Sequence, residues 1–211
     1  MLLTVVDYGV GNLRSIAKSI EKASSDNSLD YLVKVSSDVN DIKKSDKIVL
    51  PGQGSFKACK SGIDSIKGLQ EVLNENVLVK KKPIYGICAG MQLFATTGHE
   101  EEKTSGLNWI PGEVIKLDLG LSKLKIPHMG WNELKVEKNS KVFEDGINKN
   151  HAYFIHSYEF IPKDKKNISI TTNYGKDVIA AVSLGNIFGS QFHPEKSQNT
   201  GIKILTNFLN L

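Results

Sequence analysis

Cysteine is scarce in this chain, and that scarcity excludes a disulfide-stapled fold. Only Cys59 and Cys88 occur in 211 residues, too few for the bridge framework of a small secreted protein. A reducing cytoplasm is the simplest setting. Long apolar runs are missing as well. The longest uncharged stretch, Val178 to Phe192, is broken by Ser183, Asn186, Gln191 and two glycines and cannot span a bilayer. The segment Met1 to Asp7 has no cationic lead and is too short in its apolar part for a secretory signal. Charge of one sign is never concentrated: Lys and Arg number 27 against 23 Asp and Glu, net +4, and the lysines are dispersed. No nucleic-acid partner and no membrane partner is expected from such a distribution. The carboxylates Glu100, Glu101 and Glu102 carry no metal-ligand pattern, so neither metal nor cofactor is expected. Repeats, linkers and low-complexity tracts are lacking too. The chain reads as one domain over 1–211 with room for one good core.

What is there is an alternation of short apolar runs and helical patterns. Leu2 to Val6 predicts a strand, followed by the glycine-rich Tyr8-Gly9-Val10-Gly11-Asn12. Leu13, Ile16, Ala17 and Ile20 then recur at helical spacing. Arg14 stands where a dinucleotide-binding fingerprint needs its third glycine. Strands are expected at Tyr31 to Val35 and Lys47 to Leu50, a helix from Phe56 with Cys59 facing the core, and another spanning Leu69 to Leu78. Gly98 to Gly106 reads as a polar loop. Beyond Gly112 the pattern becomes strand-rich, with candidates at Val114–Leu117, Trp131–Val136, His151–Tyr158, Ile168–Thr172, Val178–Val182 and Asn186–Phe192. An amphipathic helix built on Ile202, Ile204, Leu205, Phe208 and Leu209 closes the chain. Strand–helix–strand order argues for an α/β fold with a mostly parallel sheet and added antiparallel strands in the second half.

The sequence Pro83-Ile84-Tyr85-Gly86-Ile87-Cys88-Ala89-Gly90-Met91-Gln92 has the layout of a nucleophile elbow, a sharp strand-to-helix turn that lifts a reactive side chain above a sheet. Glycines two before and two after Cys88 would relieve clashes in that turn. A helix N-terminus behind the sulfur would favour thiolate, and the Ala89 N–H would face a developing oxyanion. A cysteine nucleophile needs a base and an orienting acceptor. His193 ends an apolar run and is followed by Pro194, Glu195 and Lys196. If the backbone stays extended, His193 and Glu195 project to the same side. The glycines of Pro51-Gly52-Gln53-Gly54 follow a third predicted strand end, where backbone N–H groups can turn toward a ligand. In a doubly wound sheet such strand ends gather in one place.

This combination resembles the class I (triad) glutamine amidotransferases, with their Gly-x-Cys-x-Gly-x-Gln elbow and late His-Pro-Glu. Within that class the chain is similar to the glutaminase subunits of imidazole glycerol phosphate synthases, enzymes of histidine biosynthesis. The similarity is carried by Asp7 to Leu13, Pro127-His128-Met129-Gly130-Trp131-Asn132, Tyr153 to Tyr158 and Phe192 to Ser197. The resemblance implies the class I, flavodoxin-like fold and a Cys88–His193–Glu195 triad that hydrolyses L-glutamine through a thioester. It implies an oxyanion hole from Ala89 and the Gly52–Gln53 segment, and glutamine contacts from Gly54, Gln92, His156, Ser157 and Tyr158. It also implies a (β/α)8-barrel cyclase as partner, met by Asn12, Pro127, His128, Met129, Gly130, Trp131, Asn132 and Lys196. Gln53 stands where the family most often has Val, and Ala89 where Leu is usual. The alternatives are a paralogue feeding another synthase, such as one amidinating a surface sugar, and a non-catalytic partner subunit.

Overall fold

The computed structural model describes residues 1–211, the side chain of Asp145 excepted. The N-terminal half alternates as the apolar pattern predicts: β1 (Leu2–Val6), α1 (Leu13–Asp26), β2 (Leu32–Ser36), α2 (Val39–Lys44), β3 (Lys47–Leu50), α3 (Phe56–Ser65), α4 (Leu69–Asn74), β4 (Ile84–Ile87) and α5 (Ala89–Gln92). Each of α1, α2 and α3 starts on a side-chain cap. Asn12, Asp38 and Ser55 accept from Ser15, Asn40 and Ala58 N–H respectively, satisfying donors the first turn leaves orphaned. The helix expected to run to Leu78 ends as α4 at Asn74. The chain continues through Glu75–Val79 as a wider turn in which Lys80 N–H donates to Glu75 O at 2.9 Å.

The second half is built from short strands: β5 (Thr97–Gly98), β6 (Thr104–Ser105), β7 (Gly112–Lys116), β8 (His128–Glu133), β9 (Lys135–Val136), β10 (His151–His156), β11 (Tyr158–Pro162), β12 (Ile168–Asn173), β13 (Asp177–Leu184) and β14 (Ile187–Ser190), then α6 (Gln198–Leu209). Three expectations are corrected here. The polar loop Gly98–Gly106 is flanked and partly formed by β5 and β6, which pair antiparallel; two-residue strands are too short to leave a period in the sequence. Trp131–Val136 breaks at Leu134, so β8 pairs with β10 while β9 pairs with β12. His151–Tyr158 breaks at Ser157, sending β10 and β11 into different sheets.

The main sheet has order β2-β1-β3-β4-β14-β13-β12-β9. It is parallel from β2 through β14 and antiparallel beyond. Side chains alternate across it: Val49, Tyr85 and Ile87 join the core under α1 and α6, while Ile48, Leu50 and Ile84 join the one under α2 to α4. Both faces are covered, which is why these strands read as unbroken apolar runs. The remaining strands form a four-stranded sheet, β11-β7-β5-β6, and the ribbon β8/β10. Among the described residues no helix is long and apolar enough to cross a membrane. The architecture is the mixed α/β arrangement expected from the sequence pattern, and it agrees with the flavodoxin-like fold that the resemblance implies.

Candidate active site

Cys88 sits at the carboxyl end of β4 with φ 54° and ψ −115°, a left-handed backbone that a non-glycine residue adopts only under constraint. Its N–H donates to Ser190 O at 2.7 Å, and its carbonyl accepts from Met91 and Gln92 N–H at 3.0 and 3.1 Å. The spacing of the flanking glycines is steric. A Cβ on Gly86 would come within 2.5 Å of the Phe94 ring, and one on Gly90 within 2.1 Å of Leu50 O. The Ala89 N–H is the first of α5 and precedes the bonded pair. Because α5 has four residues, the helix dipole expected behind the sulfur is small. Stabilising a thiolate therefore falls to the neighbouring imidazole.

That imidazole is His193. β14 runs beside β4 in register, Ser190 against Ile87, so the chain leaving β14 passes the elbow. His193 N–H donates to Tyr153 O at 3.0 Å and Ser197 Oγ donates to His193 O at 2.7 Å, fixing its backbone. The ring Nδ1 lies 2.8 Å from Glu195 Oε1, and the Glu195 side chain is only 2% exposed. The pair does not meet across an extended segment, which corrects the expectation from alternation. Pro194–Lys196 forms a 3₁₀ turn that folds the carboxylate back onto the ring. Burial pulls the His193 pKa down, but hydrogen bonds to Cys88 and Glu195, reinforced by their charges, outweigh it and raise it to about 10.

The Pro51–Gly54 loop lies directly against the elbow: a Cβ on Gly52 would fall 1.9 Å from Gly90 N. Gly54 has φ 100°, which only glycine takes without strain. The Gln53 side chain is exposed, while Tyr8 Oη donates to Pro51 O and Cys59 Sγ, at 3.6 Å, to Gln53 O. Cys59 is fully buried, as its helical position predicts.

These groups open onto a cavity of about 330 Å³ lined by Gly52, Gln53, Gly54, Cys88, Ala89, Gln92, Glu100, Pro127, Ile155, His156, Ser157, Tyr158, His193 and Lys196. All the residues expected to form the oxyanion hole and to hold glutamine are thus in one wall or another. Gln92 Nε2 donates to Tyr158 O and Gln191 Oε1, at 3.1 and 3.0 Å, and Gln191 Nε2 in turn approaches Cys88 Sγ at 3.6 Å. His156 is internally engaged: Nδ1 faces Tyr158 O at 2.9 Å and Nε2 faces His128 Nδ1 at 3.0 Å. A carbonyl only accepts, so His156 carries its proton on Nδ1, His128 donates to it, and the Asn132 amide donates to His128 Nε2 at 3.2 Å. Burial pushes both imidazoles down to about 4, His156 further helped by its histidine neighbours, so the relay is neutral.

The block expected at a partner surface divides by strand alternation. Met129 and Trp131 point outward, 63% and 48% exposed. His128 is 2% exposed, stacked against Phe154 and Tyr174, and Asn132 turns inward with it. Asn12 and Pro127 are exposed, and Lys196 is exposed with its Nζ 5.7 Å from the Tyr153 ring centre. Sequence reasoning misses Glu100 and Gln191. Glu100 hangs from the loop after β5 and its Oε2 accepts from Phe56 N–H at 2.8 Å; no motif marks it, and only the fold brings it to the cavity.

The family described as glutamine amidotransferase class-I matches residues 4–211. A protein of Pelagibacter ubique named imidazole glycerol phosphate synthase subunit HisH is 52% identical over 211 residues, covering all of both chains. Proteins of the same name from Brucella suis and Rhodopseudomonas palustris are 42% and 43% identical, over 99% of this chain and 98% of theirs. Among solved structures, one titled glutamine amidotransferase has a TM-score of 0.72 at 16% identity, covering 99% of each chain. A glutamine amidotransferase from Thermotoga maritima gives 0.62 at 16%, covering 95% of this chain and 78% of that one; at such identities the fold alone is shared. With the family matched across nearly its whole length and full-length relatives at this identity, the chain belongs to the class-I glutamine amidotransferases.

Proposed function

We propose that this chain is the glutaminase subunit of an imidazole glycerol phosphate synthase, working as one catalytic unit over its full length in the cytoplasm and paired with a (β/α)8-barrel cyclase. The observation that carries the reading is His193, buried, hydrogen-bonded to Cys88 and Glu195, and lining a cavity of about 330 Å³ with Cys88. The Cys88 thiolate attacks the side-chain amide carbon of L-glutamine, and the carbonyl electrons move onto oxygen. Ala89 N–H and a backbone N–H of the Gly52–Gln53 segment, both in the cavity wall, would hold that oxyanion; each such donor contributes about 3–4 kcal/mol in comparable sites. The imidazolium of His193 gives its proton to the departing nitrogen, and ammonia leaves a γ-glutamyl thioester. Neutral His193 then takes a proton from water, whose oxygen displaces the sulfur to release glutamate. Glu195 holds the ring with Nδ1 protonated throughout.

Substrate orientation follows from charge. Free glutamine carries an ammonium group, and Glu100 puts a carboxylate in the cavity wall. Backbone groups of the Ser157–Tyr158 segment and Gly54 line the rest. The ammonia would pass to the cyclase across the face bearing Met129, Trp131, Asn12 and Lys196, where it enters imidazole glycerol phosphate with release of an aminoimidazole carboxamide ribotide. The names of the full-length relatives favour this over a paralogue serving another synthase.

The test is glutamine hydrolysis by the purified chain with the cyclase encoded in the same source. Hydrolysis should be strong only in the pair, and Cys88→Ala should abolish it. Hydrolysis retained by Cys88→Ala would remove the nucleophile, and equal activity without any partner would favour a stand-alone hydrolase.

A further inference from the structure

Tyr8 and Cys59 are buried polar groups that the chemistry above does not use. Tyr8 is 3% exposed and Cys59 is fully buried, yet each spends its hydrogen on a carbonyl of the same loop. Tyr8 Oη donates to Pro51 O, and Cys59 Sγ donates to Gln53 O at 3.6 Å. The peptide is planar and trans, so holding the Pro51 carbonyl also fixes the Gly52 N–H on the opposite side, and holding the Gln53 carbonyl fixes the Gly54 N–H. Between these two pinned planes lies the Gly52–Gln53 peptide, which carries the Gln53 N–H.

We propose that Tyr8 and Cys59 are positioning residues for glutamine hydrolysis: together they clamp the peptides on either side of Gly52–Gln53, so that only this central peptide is left to turn and its N–H, the Gln53 N–H, can reach the oxyanion above Cys88.

The setting is built for this. Gly62 of α3 passes so close to Tyr8 that a Cβ there would lie 2.5 Å from Tyr8 O and 2.9 Å from its ring, so the absence of a side chain at 62 lets the phenol reach under the loop. Gly11 similarly clears Pro51, to which a Cβ would come within 3.0 Å. Burial raises the Tyr8 pKa well above its ordinary value and Cys59 to about 11, so both remain protonated donors at neutral pH. Both contacts engage carbonyl oxygens, leaving the N–H groups of the loop for substrate. It also gives a reason why an exposed Gln at position 53 need not disturb the loop: the register is set by buried groups on the carbonyl side, not by that side chain.

The inference rests on Cys88 as nucleophile, and the experiment separates the two. Tyr8→Phe, Cys59→Ala and Cys59→Ser are compared with the unaltered chain, each with the cyclase present. One readout is the kcat and KM of glutamine hydrolysis. The other is the rate of Cys88 alkylation by iodoacetamide, a displacement at saturated carbon that forms no oxyanion. Tyr8→Phe and Cys59→Ala should lower kcat about 10- to 100-fold with KM changed little and alkylation unchanged, and Cys59→Ser, which keeps a donor, should recover most of the loss. Unchanged kcat in Tyr8→Phe and Cys59→Ala, or a parallel fall in kcat and alkylation, would overturn the clamp. If Tyr8→Phe does not fold, the Ala/Ser pair at 59 decides alone. Activity surviving in Cys88→Ala would instead discard the nucleophile itself.

Discussion

Replacing Glu195 by Gln keeps the shape of the site and removes one charge. The carboxylate lies 2.8 Å from His193 Nδ1, its second oxygen is buried with no hydrogen bond among the described residues, and its side chain is almost wholly shielded from water. At about 4 Å between charge centres and an effective dielectric of roughly 20, the carboxylate–imidazolium attraction is about 4 kcal/mol. An amide oxygen can still accept from Nδ1, retaining about 1 kcal/mol. The remaining loss of about 3 kcal/mol corresponds to a fall of roughly two units in the pKa of His193. The assay is a side-chain NMR titration of labelled His193 in both proteins. The unaltered chain should keep its imidazolium proton far above the ordinary histidine range, and Glu195→Gln should release it about two units earlier, with glutamine turnover down about a hundredfold. The sign carries over to stability. A histidine whose folded pKa is raised contributes fully below its unfolded value, and that contribution fades as pH rises through the folded pKa. Melting temperatures of the two proteins should therefore differ at pH 6 and converge in alkali. Coincident titration curves would refute the assignment of Glu195 as a group that, with Cys88, holds the proton on His193.

Three other outcomes are expected. His128 and His156 are held near 4 when folded against about 6.5 when unfolded, so the unfolded chain binds protons first and stability drops as pH falls from 6.5 toward 4; His156 alone accounts for about 3 kcal/mol, and a melting temperature flat from pH 7 to 5 would contradict the neutral relay. Gly52→Ala must push the loop off the elbow because its Cβ would sit 1.9 Å from Gly90 N; turnover should fall at least a hundredfold with a stability cost of about 1–3 kcal/mol, and near-normal turnover would mean the loop is not held there. Trp131→Ala should weaken cyclase binding by about 2 kcal/mol, measured by titration calorimetry, while iodoacetamide still modifies Cys88 at the usual rate; unaltered affinity would move the docking face elsewhere.

Legibility in the sequence depends on range. The elbow is legible because its constraints are local: an apolar strand, glycines at fixed offsets and a helical pattern lie within a dozen residues. The parallel core is legible because strands covered on both faces are continuously apolar. The second half is harder. β5 and β6 have two residues each, and the breaks at Leu134 and Ser157 change the pairing partner without changing composition. The block from Pro127 to Asn132 suggests one surface, but alternation along β8 turns His128 and Asn132 inward and only Met129 and Trp131 outward. Glu100 leaves no trace because the cavity it enters is assembled from segments remote in sequence. The same holds for Tyr8 and Cys59, whose carbonyl partners lie 43 and 6 residues away and carry no side-chain signature.

The backbone at Cys88 has a consequence for how the protein balances endurance against activity. A φ of 54° at a residue with a Cβ costs on the order of 1–3 kcal/mol, a sizeable share of the roughly 5–15 kcal/mol that holds a typical domain together. Glycine at position 88 would relax that turn and stiffen the fold while extinguishing the chemistry. The inert version of this chain would then be the more heat-resistant one, and the working protein is the compromise: its reactive sulfur stands above the sheet only because the surrounding strands are stable enough to hold a conformation the residue itself disfavours.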